Sequence, residues 1–95
     1  MSTLLLTNAE RKALKARAHS LNPVAMIGGA GLTPAVLQEI DRGLGSHELI
    51  KVRLAAAGPE ARETMAEDIA EALSCAVVQI IGHVLVLFRP FPEDD

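Results

Sequence analysis

The chain has 95 residues, 49% of them hydrophobic, and its aromatic residues are Phe88 and Phe91 alone. That is enough apolar side chain for one aliphatic core and too little chain for two, and it excludes general disorder. The single cysteine, Cys75, excludes an internal disulfide and a multi-cysteine metal cluster, and it fits a reducing compartment.

No apolar run approaches the ~20 residues that cross a bilayer. The start, Met1-Ser2-Thr3-Leu4-Leu5-Leu6, lacks the basic region and long apolar stretch of a signal peptide. The expectation is a soluble cytoplasmic protein without membrane contact. The net charge of −3 is unevenly spread. Residues 1–55 carry seven cations against four carboxylates, whereas residues 56–95 carry two against eight. Such a split suggests one face for polyanions and another for solvent. The plainer reading is a set of charges that solvate exposed helix faces.

Thr7-Asn8-Ala9-Glu10 is a capping-box pattern and opens a helix to about His19. At 100° per residue Arg11, Lys12, Lys15 and His19 share one stripe, with Leu14 and Ala18 beside it and Ala13 opposite. Asn22-Pro23 ends that segment and launches a first strand, Val24 to Ile27. Gly28-Gly29-Ala30-Gly31 follows, then Thr33-Pro34, an N-cap hydroxyl and a proline at a helix start. A bare loop aimed by a helix N-terminus favours an anion, although a plain strand-to-helix turn has the same shape.

Val36, Leu37, Ile40 and Leu44 repeat at helical spacing, with Gly45 as the expected stop. His47 to Ala55 alternates as a strand, with Ile50, Val52 and Leu54 on one face and Leu49, Lys51 and Arg53 on the other. Gly58-Pro59 precedes a third helix, about Glu60 to Ser74, whose expected apolar side is Ala61, Met65, Ile69, Ala72 and Leu73. Glu60, Glu63, Glu67 and Glu71, flanked by Asp68, form its acidic side. Ala76 to Ile81 and Val84 to Phe88 read as strands joined at Gly82-His83. Val84 to Phe88 is apolar at every position, as a central strand covered on both faces would be. The order helix-strand-helix-strand-helix-strand-strand predicts a two-layer α/β domain with a mixed four-stranded sheet whose last strand is antiparallel.

The search for chemistry yields negatives. No Lys-Ser/Thr follows the glycine loop, so it is not a phosphate-binding P-loop, and the dinucleotide fingerprint lacks its third glycine. His19, His47 and His83 have no Cys or carboxylate at ligand spacing, so neither a metal nor a cofactor is expected. Cys75 reads as a buried small hydrophobe. No nucleophile, base and oxyanion donor come together, and the reading is a non-enzyme. With Trp and Tyr absent and Phe88 and Phe91 the only aromatics, a polyanion would be held by backbone and shape, as structured RNA can be.

Four ordered blocks then carry a resemblance. They are Leu14-Lys15 with Ala18-His19, Leu21-Asn22-Pro23-Val24 with Ile27 to Thr33, His47 to Val52, and Val78 to Gly82 with Leu85 to Arg89. Together, over roughly residues 4–90, they resemble the CRM domain, the chloroplast RNA splicing and ribosome maturation domain, which makes up the whole of short bacterial YhbY-type proteins. The resemblance implies a fold like the C-terminal domain of bacterial initiation factor three, with sheet order 1-2-4-3. It implies that Gly28 and Gly31 bracket a GxxG loop that meets RNA backbone. The chain departs from the family pattern in its overall acidity and in Gly29 and Ala30, which place no cation or hydroxyl within the motif.

The resulting expectation is one domain over residues 1–95 with an acidic, flexible tail at 91–95. The expected RNA-binding set is Gly28, Gly29, Ala30, Gly31, Arg11, Lys12, Lys15, His19, Lys51, Arg53 and Arg89. The implied partner is structured ribosomal RNA in precursors of the large ribosomal subunit, bound by a monomer, with no DNA expected. The alternative is a small protein-interaction module that uses the acidic third helix, with incidental RNA contact.

Overall fold

The computed structural model describes residues 6–55 and 58–92. In chain order the elements are α1 (Asn8–Ala18), β1 (Pro23–Ile27), α2 (Pro34–His47), β2 (Leu49–Leu54), α3 (Pro59–Leu73), β3 (Ala76–Ile81) and β4 (Val84–Phe88). The alternation in β2 sets the layers. Ile50, Val52 and Leu54 point to one side, where they join Leu85 and Leu87 of β4, Ile40 and Leu44 of α2, and Ala66, Ile69 and Ala70 of α3. Leu49 points to the other side and meets Leu14 and Ala18 of α1, with Val78 and Val86. Each fully buried Leu or Ile contributes roughly 1.5–3 kcal/mol, so these two interfaces outweigh any surface ion pair.

The sheet order is β1-β2-β4-β3. β1 runs parallel to β2, and β4 runs antiparallel to both β2 and β3. The expected order and the expected central place of the last strand are both observed. Val86 is completely buried on the α1 side and Leu85 and Leu87 on the other. A strand covered on both faces has no solvent-facing positions, hence its unbroken apolar run. The expected two layers hold for α2 and α3 against the sheet. Helix α1 adds a partial third layer, on the opposite face, over the half of the sheet where β2 begins.

Two local expectations are corrected. Helix α2 does not stop at Gly45 but continues to His47, and its cap is Glu48 at φ +62°. The Glu48 amide donates to the Leu44 carbonyl, and its own carbonyl accepts from the Arg89 amide, so packing of the chain end fixes this conformation. The strand accordingly begins at Leu49 and not at His47. Inside α2, a Cβ at Gly43 would lie 3.1 Å from Cγ2 of Val24, so that glycine lets the helix approach the β1 edge.

The inward side of α3 is the second correction. Ala66, Ile69 and Ala70 are buried, whereas Ala61 and Ala72 are exposed. Met65, Ile69 and Leu73 belong to both the expected and the observed face. The acidic side behaves as read: Glu60, Glu63, Glu67, Asp68 and Glu71 are all exposed. Of the expected tail, Glu93, Asp94 and Asp95 lie outside the described residues, and the Phe91 amide donates to the Glu48 carboxylate at 2.6 Å.

Candidate nucleic-acid interface

The glycine loop begins where β1 ends. Gly31 donates its amide to the Gly28 carbonyl at 3.0 Å, which closes a four-residue turn with Gly29 and Ala30 at its tip. Gly31 itself sits at φ +77°, a left-handed conformation that favours glycine. Thr33 then caps α2 by accepting from the Val36 amide at 3.2 Å. Pro34 follows in the first turn. The amides of Gly29 and Ala30 meet no acceptor among the described residues. An added Cβ at Gly28, Gly29 or Gly31 would meet nothing within 4 Å. The fold therefore leaves the tip bare on its outer side, and the N-terminus of α2 points into the same region.

The neighbours of this loop are fixed by the sheet. Ile27 pairs with Leu54, and the Ala55 amide donates to the Ile27 carbonyl at 2.8 Å. The Leu54 amide donates to the His83 carbonyl at 2.7 Å. One end of the sheet thus gathers the glycine loop, Arg53 and the β3–β4 hairpin. Arg53 is exposed and Lys51 half-buried, both on the α1 side of β2, because Ile50, Val52 and Leu54 occupy the core side.

Helix α1 is set by its cap. Thr7 Oγ1 accepts from the Glu10 amide at 3.0 Å, and the Glu10 carboxylate accepts from the Thr7 amide at 2.9 Å. Those bonds hold the Glu10 carboxyl below its ordinary pKa. With Leu14 and Ala18 buried, the two flanks of α1 differ. Arg17 borders a recess with Leu21, His47 and Leu49, at the end of the sheet far from the glycine loop. Lys15 and His19, about 160° further round the helix, lie on the opposite flank. The Lys51 ammonium donates to the His19 carbonyl at 3.4 Å, which joins the end of α1 to β2. Lys12, Lys15 and His19 are all exposed.

Two cations of the expected set are committed to the fold. Nη1 of Arg11 donates to the Val77 and Val78 carbonyls at 2.7 and 2.6 Å. Arg11 also borders a groove with Glu63 and Glu67, on the acidic side of the molecule. Arg89 donates to the Asp41 carboxylate at 2.7 Å and to the Leu73 carbonyl at 3.0 Å, tying β4 to α2 and α3. It lies at the end of β4 remote from the hairpin and from the glycine loop. Of the expected cations, Arg53 stands nearest the loop, paired with Met26 two residues before it. Lys51 lies one row further from it, bonded to the His19 carbonyl at the end of α1. Lys12, Lys15 and the His19 side chain are exposed on α1.

Other chemistry has little support here. Burial pushes the Cys75 thiol up to about 11, against a smaller opposing pull from the Arg89 guanidinium, so it is a poor nucleophile at neutral pH. Among the described residues no three His, Cys, Asp or Glu side chains converge as metal ligands. No described helix is long and apolar enough to cross a membrane.

A 1-2-4-3 sheet, backed by two helices, crossed by a third and edged by a glycine turn at a helix N-terminus, defines the class: a small α/β domain with a bare-backbone loop. The chain matches the model of the CRS1 / YhbY (CRM) domain over residues 6–89, and it belongs to that family. It is 48% identical over 88 residues to an RNA-binding protein of Haemophilus influenzae, covering 93% of this chain and 89% of that one. It is 36% identical over 90 residues to a protein named probable RNA-binding protein in Pseudomonas aeruginosa, covering 95% and 86%. The solution structure of a hypothetical Staphylococcus aureus protein, proposed to bind RNA, superposes with a TM-score of 0.84. It is 31% identical, with 96% and 95% of the two chains covered.

Proposed function

We propose that this protein binds structured RNA without catalysing a reaction on it, gripping the phosphate backbone with the glycine loop and the strip of Lys15, Lys51 and Arg53. The observation that carries this reading is the loop itself. Its tip presents two unengaged amides beside a helix N-terminus, with Arg53 and Lys51 on the adjacent strand. Membership of the CRM family and the names of the relatives point the same way. Helix α3 packs on the sheet face opposite α1, and its acidic side, with Glu63 and Glu67 at the β3 edge near Arg11, would repel a polyanion.

The finer reading is that the RNA is ribosomal and that the protein acts, as a cytoplasmic monomer, in maturation of the large ribosomal subunit. Its support is the resemblance of the four sequence blocks to stand-alone bacterial members of the family. Sucrose-gradient fractionation of cell extract at low salt tests it. The protein is expected in fractions holding large-subunit precursors, and to leave them at high salt. Retention in the soluble top fractions while precursors accumulate would overturn the ribosomal reading and leave RNA binding as such to be judged by direct titration.

A further inference from the structure

The pairing register places four side chains in one row across the whole sheet, on the α1 side and at the glycine-loop end. Met26 pairs with Arg53, Arg53 with Val84, and Val84 with Ile81. All four face away from the α2/α3 core, since their neighbours Ala25, Ile27, Val52, Leu54, Leu85 and Ile80 pack into it. Helix α1 covers the other half of this face and leaves the row open. Met26 and Ile81 are each 57% exposed, the most exposed large hydrophobic residues among the described ones. Four strands side by side make the row about 14 Å long, room for one or two nucleobases.

Arg53 stands within this apolar row and makes no hydrogen bond or ion pair among the described residues. Arg11, Arg62 and Arg89, by contrast, all donate to the protein's own carbonyls. An uncommitted guanidinium flanked by aliphatic side chains can offer its planar, weakly hydrated face as a stacking platform while its edge nitrogens still reach a phosphate. Unpaired bases stack on guanidinium planes as they do on aromatic rings. The absence of Trp and Tyr therefore does not limit this chain to phosphate contact.

We infer that the row formed by Met26, Arg53, Val84 and Ile81 receives an unpaired nucleobase, so that the preferred RNA is a junction between a double helix and a single strand. This rests on the RNA-binding reading and deepens it. The glycine loop starts two residues after Met26, and Lys51 lies one row down the same face on β2. Duplex phosphates held by the loop and by Lys15 and Lys51 would deliver the first unpaired base onto the row.

Titration of the whole protein with three synthetic hairpins tests the inference: one blunt, one with a three-nucleotide single-stranded extension, and one whose extension is abasic. The extended hairpin is expected to bind about tenfold tighter than the blunt one, and the abasic extension to lose most of that gain. Arg53→Lys, which keeps the charge and removes the plane, and the double variant Met26→Ser/Ile81→Ser should each bring the ratio close to one. Both alter exposed side chains, and thermal unfolding checks that they remain folded. An abasic extension as effective as the normal one would overturn the inference in favour of phosphate contact, and a wild-type ratio of one would also overturn it. A dimer in sedimentation equilibrium that the double variant dissociates would assign the row to a second copy of the chain. Failure of every hairpin to bind would instead remove the RNA reading beneath the inference.

Discussion

Arg11 and Val78 are joined across 67 positions of sequence by a 2.6 Å hydrogen bond from guanidinium to backbone carbonyl. The same nitrogen serves the Val77 carbonyl, at the place where β3 departs from regular pairing with β4 between Val77 and Gln79. β3 is an edge strand, and edge strands with free backbone groups invite pairing with other chains. Arg11 occupies two of those groups. Arg11→Met should cost about 1–2 kcal/mol in urea unfolding and lower the concentration at which the protein aggregates. RNA affinity of the folded variant should change by less than about twofold, because this guanidinium is already engaged by the Val77 and Val78 carbonyls.

Arg89 serves the fold in a different place. It bonds the Asp41 side chain and the last turn of α3 at once, and it is about one-quarter exposed against one-half for Asp41. Arg89→Gln should destabilise by about 1–2 kcal/mol, less than a fully buried pair would. Asp41→Asn should cost less, since the Leu73 carbonyl keeps its donor. A melting series of the two variants and their combination checks the order. A larger loss for Asp41→Asn would mean that the pair, and not the carbonyl contact, holds this corner.

The glycines of the loop separate conformation from contact. Gly31 needs its positive φ, so Gly31→Ala should cost about 1 kcal/mol before any RNA is present. Gly29 has ordinary φ and open space around it. Gly29→Val should therefore change stability by no more than about 0.5 kcal/mol, yet weaken RNA binding by about tenfold or more if backbone must approach the tip closely. Parallel chemical denaturation and RNA titration of the two variants provide the check. Equal effects of Gly29→Val on both would reduce the loop to a turn.

Cys75 gives a pH dependence with a definite sign. Its thiol titrates at about 11 in the folded protein against 9.0 for the free group. The folded state thus holds its proton where the unfolded state has lost it, so stability falls as pH rises from 9 towards 11. The Cys75 share of that loss is about 2–3 kcal/mol. Cys75→Ala should show a shallower decline over the same window in urea denaturation, although it starts from lower stability because it leaves a small cavity. Identical slopes for wild type and variant would refute a buried, protonated thiol.

Much of the fold was legible because period and burial coincide. Ile50, Val52 and Leu54 alternate with Lys51 and Arg53, and β4 is apolar throughout, which identifies a half-open strand and a covered one. Alanine is where that legibility ends. Ala61 and Ala72 read as apolar as Ala66 and Ala70, and only contact with the sheet decides which pair turns inward. Gly45 resembled a helix stop because capping rules are local, whereas the observed stop at Glu48 depends on Arg89, far along the chain. The site was half legible for the same reason. Lys51 and Arg53 share a face by strand period alone. That Arg11 and Arg89 are engaged depends on carbonyls of β3 and α3, whose positions no helical stripe encodes. The row of Met26, Arg53, Val84 and Ile81 needs the register of three strand pairs, none of which is written in any one strand.

The central claim is that RNA is gripped on the face bearing the glycine loop, Lys15, Lys51 and Arg53, and not on the acidic ridge of α3. Filter binding of a structured RNA across a salt series, comparing Lys15→Gln/Lys51→Gln/Arg53→Gln with Glu63→Gln/Glu67→Gln, measures it directly. The first variant should bind at least tenfold more weakly at low salt, with a salt slope shallower by about two to three units. The second should bind as tightly as wild type or slightly tighter. An undiminished slope in the first variant together with weakened binding in the second would place the RNA on the opposite face and contradict the account.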